Sequence, residues 1–189
     1  MHLTSFEKTL ASIDQVCQKY SLQYAIIGGI AAIIHGLRRT TQDVDITLLI
    51  ELNHIEKIGN ILIKNFPPSQ RDPIDFFQKH FVLPTKHKAT GIPIDFTAGL
   101  SGFDKLVIQR SKRIKFGSVP VNVCSIEDLI IYKLVASRTR DIADVEELLA
   151  LYYKDLDKKY LLSITEEFVQ IDREDVLKNL KNLLKKHPK

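Results

Sequence analysis

The sequence predicts an α+β fold: a mixed β-sheet flanked by helices over residues 1–124, then a small C-terminal helical bundle over residues 125–189. Three observations carry this expectation. Before Cys124, short apolar runs end at glycine or proline and alternate with segments whose apolar residues recur every three or four positions. After Cys124 strand signals vanish and helical spacing remains. The chain has 189 residues, 44% of them hydrophobic, enough to bury a core for one domain with an appended subdomain.

The elements follow in order. Leu3, Phe6, Leu10, Ile13, Val16, Cys17 and Tyr20 are spaced for an amphipathic helix over residues 3–20. Residues 23–27 read as a buried strand that breaks into a turn at Gly28 and Gly29. Residues 30–35 form a short helix, favoured by Ala31 and Ala32 and closed by Gly36. Residues 43–50 are the second strand, and Ile55, Ile58, Ile61 and Leu62 set a helix over 53–64. Pro67, Pro68 and Pro73 enforce a loop. Residues 81–83 and 92–98 read as strands joined by a basic turn containing Gly91, and 102–109 as a helix. Residues 113–116 and 119–123 read as a hairpin around Gly117 and Ser118. Ser125, with Glu127 and Asp128 behind it, starts the helical part: a hydroxyl cap, then acids at the positive end of the dipole.

Net charge is +4 and the pI is near 9.0, which does not by itself imply nucleic-acid binding. Basic residues gather at Arg38 and Arg39, at Lys79, Lys86 and Lys88 with His80 and His87, and from Lys178 to Lys189. Such surfaces attract phosphates, although a solvated helix face explains the last run equally simply. No apolar stretch reaches the roughly 18 residues of a membrane span. The first residues lack the basic start and apolar core of a signal peptide. The expected setting is cytoplasmic, with no membrane partner. Cys17 and Cys124 are expected as buried thiols rather than a disulfide.

The stretch from residue 28 to 50 carries the chemistry. Side chains alternate along a strand, so Asp43 and Asp45 share a face while Val44 and Ile46 point into the core. Two carboxylates so close repel unless a cation lies between them. Asp95, between Ile94 and Phe96, has the same setting. If the two strands are neighbours, three hard oxygen donors converge and leave positions for water and phosphate oxygens, as magnesium or manganese requires. Two such ions can stabilise the attacking and leaving oxygens of phosphoryl transfer. In that scheme Asp43 and Asp45 carry the metal on a nucleoside triphosphate, and Asp95 places the second metal and accepts the proton of the attacking hydroxyl. Gly28 and Gly29 let backbone amides approach the phosphates. Arg39 and Thr41 are placed to contact the triphosphate.

These residues resemble the nucleotidyltransferase superfamily with the DNA polymerase β-like fold. Its pattern is Gly-Gly or Gly-Ser after a strand, then D-x-D, then a lone acid on a later strand. The string from Gly28 to Asp45 is more narrowly similar to the AbiEii/AbiGii-type toxin branch and its uncharacterised relatives, where R-x-T-x-D-x-D matches Arg39, Thr41, Asp43 and Asp45. The absence of the Gly-Ser form favours that branch over aminoglycoside-type enzymes. The branch also carries a helical lysine followed by R-D-x-x-D, matched by Lys133, Arg140, Asp141 and Asp144. The resemblance implies that Lys133 contacts a nucleotide phosphate and that Asp141 with its neighbours orders the edge of the site. The residues alone leave other readings open: Lys133 snorkelling to solvent, and an Arg140–Asp144 ion pair four residues apart. The chain is shorter than typical AbiEii toxins.

Other residues give less. His35 reads as a packed histidine, and Tyr152 and Tyr153 as helix-packing residues rather than base-stacking ones. His80 and His87 lack the further ligands that zinc needs. Ser101 and Ser125 lack partners for a serine hydrolase.

Two functions compete. One is a metal-dependent enzyme moving a nucleoside monophosphate from a triphosphate to a hydroxyl on RNA (a tRNA 3′ end, as the toxin resemblance implies), a protein or a small molecule. The other is a nucleotide-binding, antitoxin-like or regulatory module without turnover. A cognate antitoxin is the partner that the toxin resemblance implies.

Overall fold

The computed structural model describes residues 3–186. Met1 and His2 of the N-terminal segment, and residues 187–189 of the C-terminal basic run, lie outside the described residues. Two compact units form. The first contains the residues up to Ile34 together with Arg39–Cys124; the second contains His35–Arg38 and the residues from Ser125 onward.

In the first unit, helix α1 (Ser5–Lys19) opens on a reciprocal cap. The Thr4 hydroxyl accepts from the Glu7 amide at 3.2 Å, and the Thr4 amide donates to the Glu7 carboxylate at 2.8 Å. A cap of this kind is worth about 1 kcal/mol. Leu10, Ile13, Val16 and Cys17 form the buried stripe that the spacing predicts. Strand β1 (Tyr24–Ile27), helix α2 (Gly28–Ile34), strand β2 (Val44–Leu49), helices α3 (Ile55–Asn65) and α4 (Pro73–His80), strands β3 (Val82–Lys86) and β4 (Pro93–Gly99), helix α5 (Gly102–Arg110) and strands β5 (Lys112–Phe116) and β6 (Val119–Val123) complete the unit.

The six strands form one mixed sheet in the order β3-β4-β2-β1-β6-β5. β2 runs parallel to β4 and β1 parallel to β6; the other neighbours are antiparallel. Crossovers and hairpins therefore both occur, as an α+β chain with helices between some strands and tight turns between others demands. Val44, Ile46, Ile94 and Phe96 are fully buried, so the inward residues of the two central parallel strands are those that the alternation predicts. Phe66 stacks against Phe96 with ring centroids 5.3 Å apart.

Three local expectations need correction. Pro73 does not extend the loop but opens α4, because a proline at the first helical position loses no hydrogen bond that the helix would use. Gly28 and Gly29 are not a turn ahead of a helix but the first residues of α2. The second strand starts at Val44, which leaves Asp43 in the connection just before it.

The second unit is helical: α6 (Ile126–Ala136), α7 (Thr139–Tyr152), α8 (Lys158–Glu167) and α9 (Glu174–Lys186). Ser125 caps α6, its hydroxyl accepting from the Asp128 amide at 3.1 Å. Leu129, Ile130, Leu134, Val145, Leu148, Leu149, Leu161 and Leu180 are fully buried. The Tyr152 hydroxyl donates to the His35 carbonyl at 2.9 Å, which fastens the segment His35–Arg38 to this unit. Cys17 and Cys124 are buried free thiols, and burial pushes the Cys17 thiol up to about 12. Among the described residues no helix is long and apolar enough to cross a membrane.

Candidate active site

Strand register assembles the carboxylates. In the parallel pair of β2 and β4, Asp45 lies directly opposite Asp95; in the antiparallel pair of β1 and β2, Asp45 lies opposite Ile27. Neighbouring strands are about 4.8 Å apart, so Asp95, Asp45 and the end of β1 form a row along one end of the sheet. Gly28 follows Ile27, and its backbone is left-handed, with φ +64°. The Asp45 side chain lies against it: a Cβ on Gly28 would stand 2.6 Å from the Asp45 carboxyl carbon. Both the conformation and the space at residue 28 thus require glycine.

The connection from Arg39 to Asp43 folds over the start of α2. The Thr41 hydroxyl donates to Asp43 Oδ1 at 2.7 Å. A Cβ on Gly29 would stand 2.8 Å from Thr41 Cβ and 3.4 Å from an Arg39 guanidinium nitrogen. Arg39 and Thr41 are therefore neighbours of the glycine pair, as the sequence suggests. Burial raises the Asp95 carboxyl above its ordinary range, and the negative charge of Asp43 raises it further. Asp43 is thus within electrostatic reach of Asp95 although it lies outside the strand.

These residues are drawn together in pairs rather than as a closed cage. Among the described residues no three His, Cys, Asp or Glu side chains form a group that could hold a metal ion. Asp45 leans on Gly28, while Asp43 and Asp95 repel each other. The donor set nevertheless suits a hard divalent cation: these are carboxylate oxygens, and a positive charge would relieve the repulsion between two of them.

In the second unit Lys133 is only 4% exposed, so it does not snorkel. Its ammonium lies 2.5 Å from Asp144 Oδ2 and 3.4 Å from Asp141 Oδ1. Asp144, for which the sequence left a pair with Arg140 open, receives Lys133 in the fold, and Arg140 is exposed. Arg138, which sequence reasoning missed, donates to Asp141 at 2.7 Å. Its signal was the spacing of three along a helix from Arg138 to Asp141. Burial works to raise the Asp141 carboxyl, but the Arg138 hydrogen bond and the Lys133 charge outweigh it and hold the group below its ordinary range. Another unexpected cluster joins distant parts of the first unit: Asp14 accepts both Arg113 guanidinium nitrogens, at 2.8 and 2.7 Å, and the Tyr24 hydroxyl at 2.7 Å.

Comparison with known proteins places this geometry. Residues 2–187 match a family described as "Nucleotidyltransferase of unknown function (DUF6036)". That description supports the broader nucleotidyltransferase resemblance and does not name the AbiEii-type branch. No curated protein matches the chain significantly in sequence. Among solved structures, the antibiotic-resistance factor ANT(2'')-Ia is similar with TM-score 0.62 and 12% identity, covering 90% of this chain and 96% of that one. An antigenic nucleotidyltransferase-like protein from Paracoccidioides brasiliensis is similar with TM-score 0.54 and 18% identity, covering 94% and 92%. The lincosamide antibiotic adenylyltransferase LnuA, lincomycin-bound, gives 0.51 and 14%, covering 78% and 98%. At these identities the likeness is one of fold.

Proposed function

The chain belongs to this nucleotidyltransferase family, and we propose that it transfers a nucleoside monophosphate from a nucleoside triphosphate to a hydroxyl acceptor with the help of magnesium or manganese. The observation that carries the reading is the register of β2 on β4, with Asp45 opposite Asp95 and Asp43 close enough to shift the Asp95 carboxyl. A purely binding module has no use for three acids at one end of a sheet, two of which repel each other.

In this reading residues 1–124, apart from the segment His35–Arg38, supply the nucleotidyl-transfer domain, and 125–189 together with that segment form a helical domain. Asp43, Asp45 and Asp95 hold the divalent cation, which neutralises charge on the triphosphate when bound. Gly28 and Gly29 expose backbone to the phosphates, and Arg39 contributes a guanidinium. Asp95, whose raised carboxyl is better suited to take a proton than an ordinary aspartate, receives the proton of the acceptor hydroxyl. The acceptor oxygen bonds to the α-phosphorus, the α–β anhydride bond breaks, and pyrophosphate leaves. Lys133, Arg140, Asp141 and Asp144 form the helical motif of the second unit, to which the resemblance assigns nucleotide binding. Lys133 acts there as the buried charge that positions Asp141 and Asp144.

The acceptor is an RNA such as a tRNA 3′ end, a protein hydroxyl or a small molecule. The first choice makes the protein toxin-like, with a cognate antitoxin as partner in the cytoplasm. The similarity to LnuA bound to lincomycin gives the small-molecule arm equal standing. Incubation with each labelled triphosphate, magnesium, and total RNA, cell extract or an aminoglycoside and lincosamide panel separates the three by where label appears. Asp45→Ala is expected to abolish transfer by at least 100-fold while far-ultraviolet circular dichroism stays native. Persistence of transfer in that variant overturns the metal assignment.

A further inference from the structure

We infer that Thr41 is a positioning residue that sets the orientation of Asp43, and that Gly29 is glycine in order to seat it. This rests on the proposal that Asp43 and Asp95 are metal ligands, and it replaces the expectation that Thr41 contacts the triphosphate. The Thr41 hydroxyl has one proton, and it points to Asp43 Oδ1 at 2.7 Å. That bond occupies one carboxylate oxygen and holds the group against rotation, leaving Oδ2 as the less engaged donor. Asp43 needs such a hold because it precedes β2 and no strand pairing fixes it. A hydrogen bond to a metal-ligating carboxylate orients it before the metal arrives.

Gly29 completes the arrangement. Its backbone is not left-handed, so alanine is conformationally allowed there, unlike at Gly28. Only space opposes a side chain: the added Cβ would stand 2.8 Å from Thr41 Cβ and closer still to its hydroxyl. Residue 29 therefore reaches Asp43 through Thr41. The two glycines thus have separate tasks, Gly28 making room for Asp45 and Gly29 for Thr41.

The test measures manganese binding by electron paramagnetic resonance of the free ion, without nucleotide. In parallel, a fluorescent ATP analogue is titrated in EDTA to measure nucleotide binding alone. Thr41→Val keeps the side-chain shape and removes the proton; Thr41→Ser keeps the proton. Thr41→Val is expected to weaken manganese binding about tenfold, and Thr41→Ser by less than about threefold. Gly29→Ala is expected to follow Thr41→Val in manganese binding, and metal-free nucleotide binding is expected to be unchanged in the two Thr41 variants. Unchanged manganese affinity in Thr41→Val, or a loss confined to nucleotide binding in Gly29→Ala, overturns the inference. An equal loss in Thr41→Ser and Thr41→Val shows that the hydroxyl is not the cause, and also overturns it. Asp43→Asn separates the two levels. If it leaves manganese binding intact, the metal reading itself fails; if it alone loses binding, only the role of Thr41 fails.

Discussion

A single carboxyl group shows how this site trades stability for chemistry. Asp95 is half-buried and faces the charge of Asp43, so the folded protein holds its proton more tightly than the unfolded chain does. Its raised value means that its contribution to stability is full below the ordinary carboxylate range and lost as pH rises through the folded value. Asp95→Asn removes that loss. The variant is expected to be more stable than wild type at pH 7 in urea unfolding, with the difference closing on acidification toward pH 3, and to be inactive in transfer. A variant less stable at pH 7 contradicts the repulsion assigned to Asp43. The facing of Asp45 and Asp95 was legible in the sequence because alternation is a short-range rule, whereas the pairing of their strands joins distant parts of the chain and could only be posed as a condition. The role of Thr41 was not legible, because it depends on a connection folding back over Gly29, and no local pattern encodes that.

Among elements, the pair α6 and α7 is joined by a buried ionic clamp. Lys133→Met strands Asp144 at 6% exposure without the ammonium it faces. Breaking a buried pair in this way costs about 3 kcal/mol, visible as a lower urea midpoint with an unchanged slope. The double variant Lys133→Met with Asp144→Leu is expected to recover part of that loss, since the Asp144 charge is gone while Asp141 keeps Arg138 but not the ammonium. No recovery would mean that the loss comes through Asp141 rather than Asp144. The helical character of this unit was legible because strand signals vanish after Cys124, but its division into α7, α8 and α9 was not. α4 was not: it is 8 residues long, follows two prolines, and opens on a third. The residue type that usually ends a helix begins this one, and only the burial of Phe77 betrays its packed face.

At the scale of the whole molecule, several carboxylates are held below their ordinary range. Hydrogen bonds from the Ser118 and Thr4 amides bring Glu7 down to about 2. Burial works to raise Asp14, but its bonds from Arg113 and Tyr24 prevail; Asp141 behaves likewise. Groups with depressed values contribute stability that is present above the unfolded value and lost as pH falls through the folded one. Unfolding free energy should therefore be nearly level from pH 7 to about pH 5, apart from the opposing contribution of Asp95. It should then fall between the ordinary value of 4.5 for Glu7 and about 2. Urea titrations at half-unit steps check this, and Glu7→Gln should flatten the decline. The covalent path has one more consequence. Residues 35–38 fold with the helices while Ile34 and Arg39 belong to the sheet, so the backbone passes between units at three places. Severing the gene at codon 124 would not yield two autonomous fragments. The upstream piece would carry a four-residue strap deprived of the Tyr152 hydroxyl, and the downstream piece would lack the carbonyl that this hydroxyl grips.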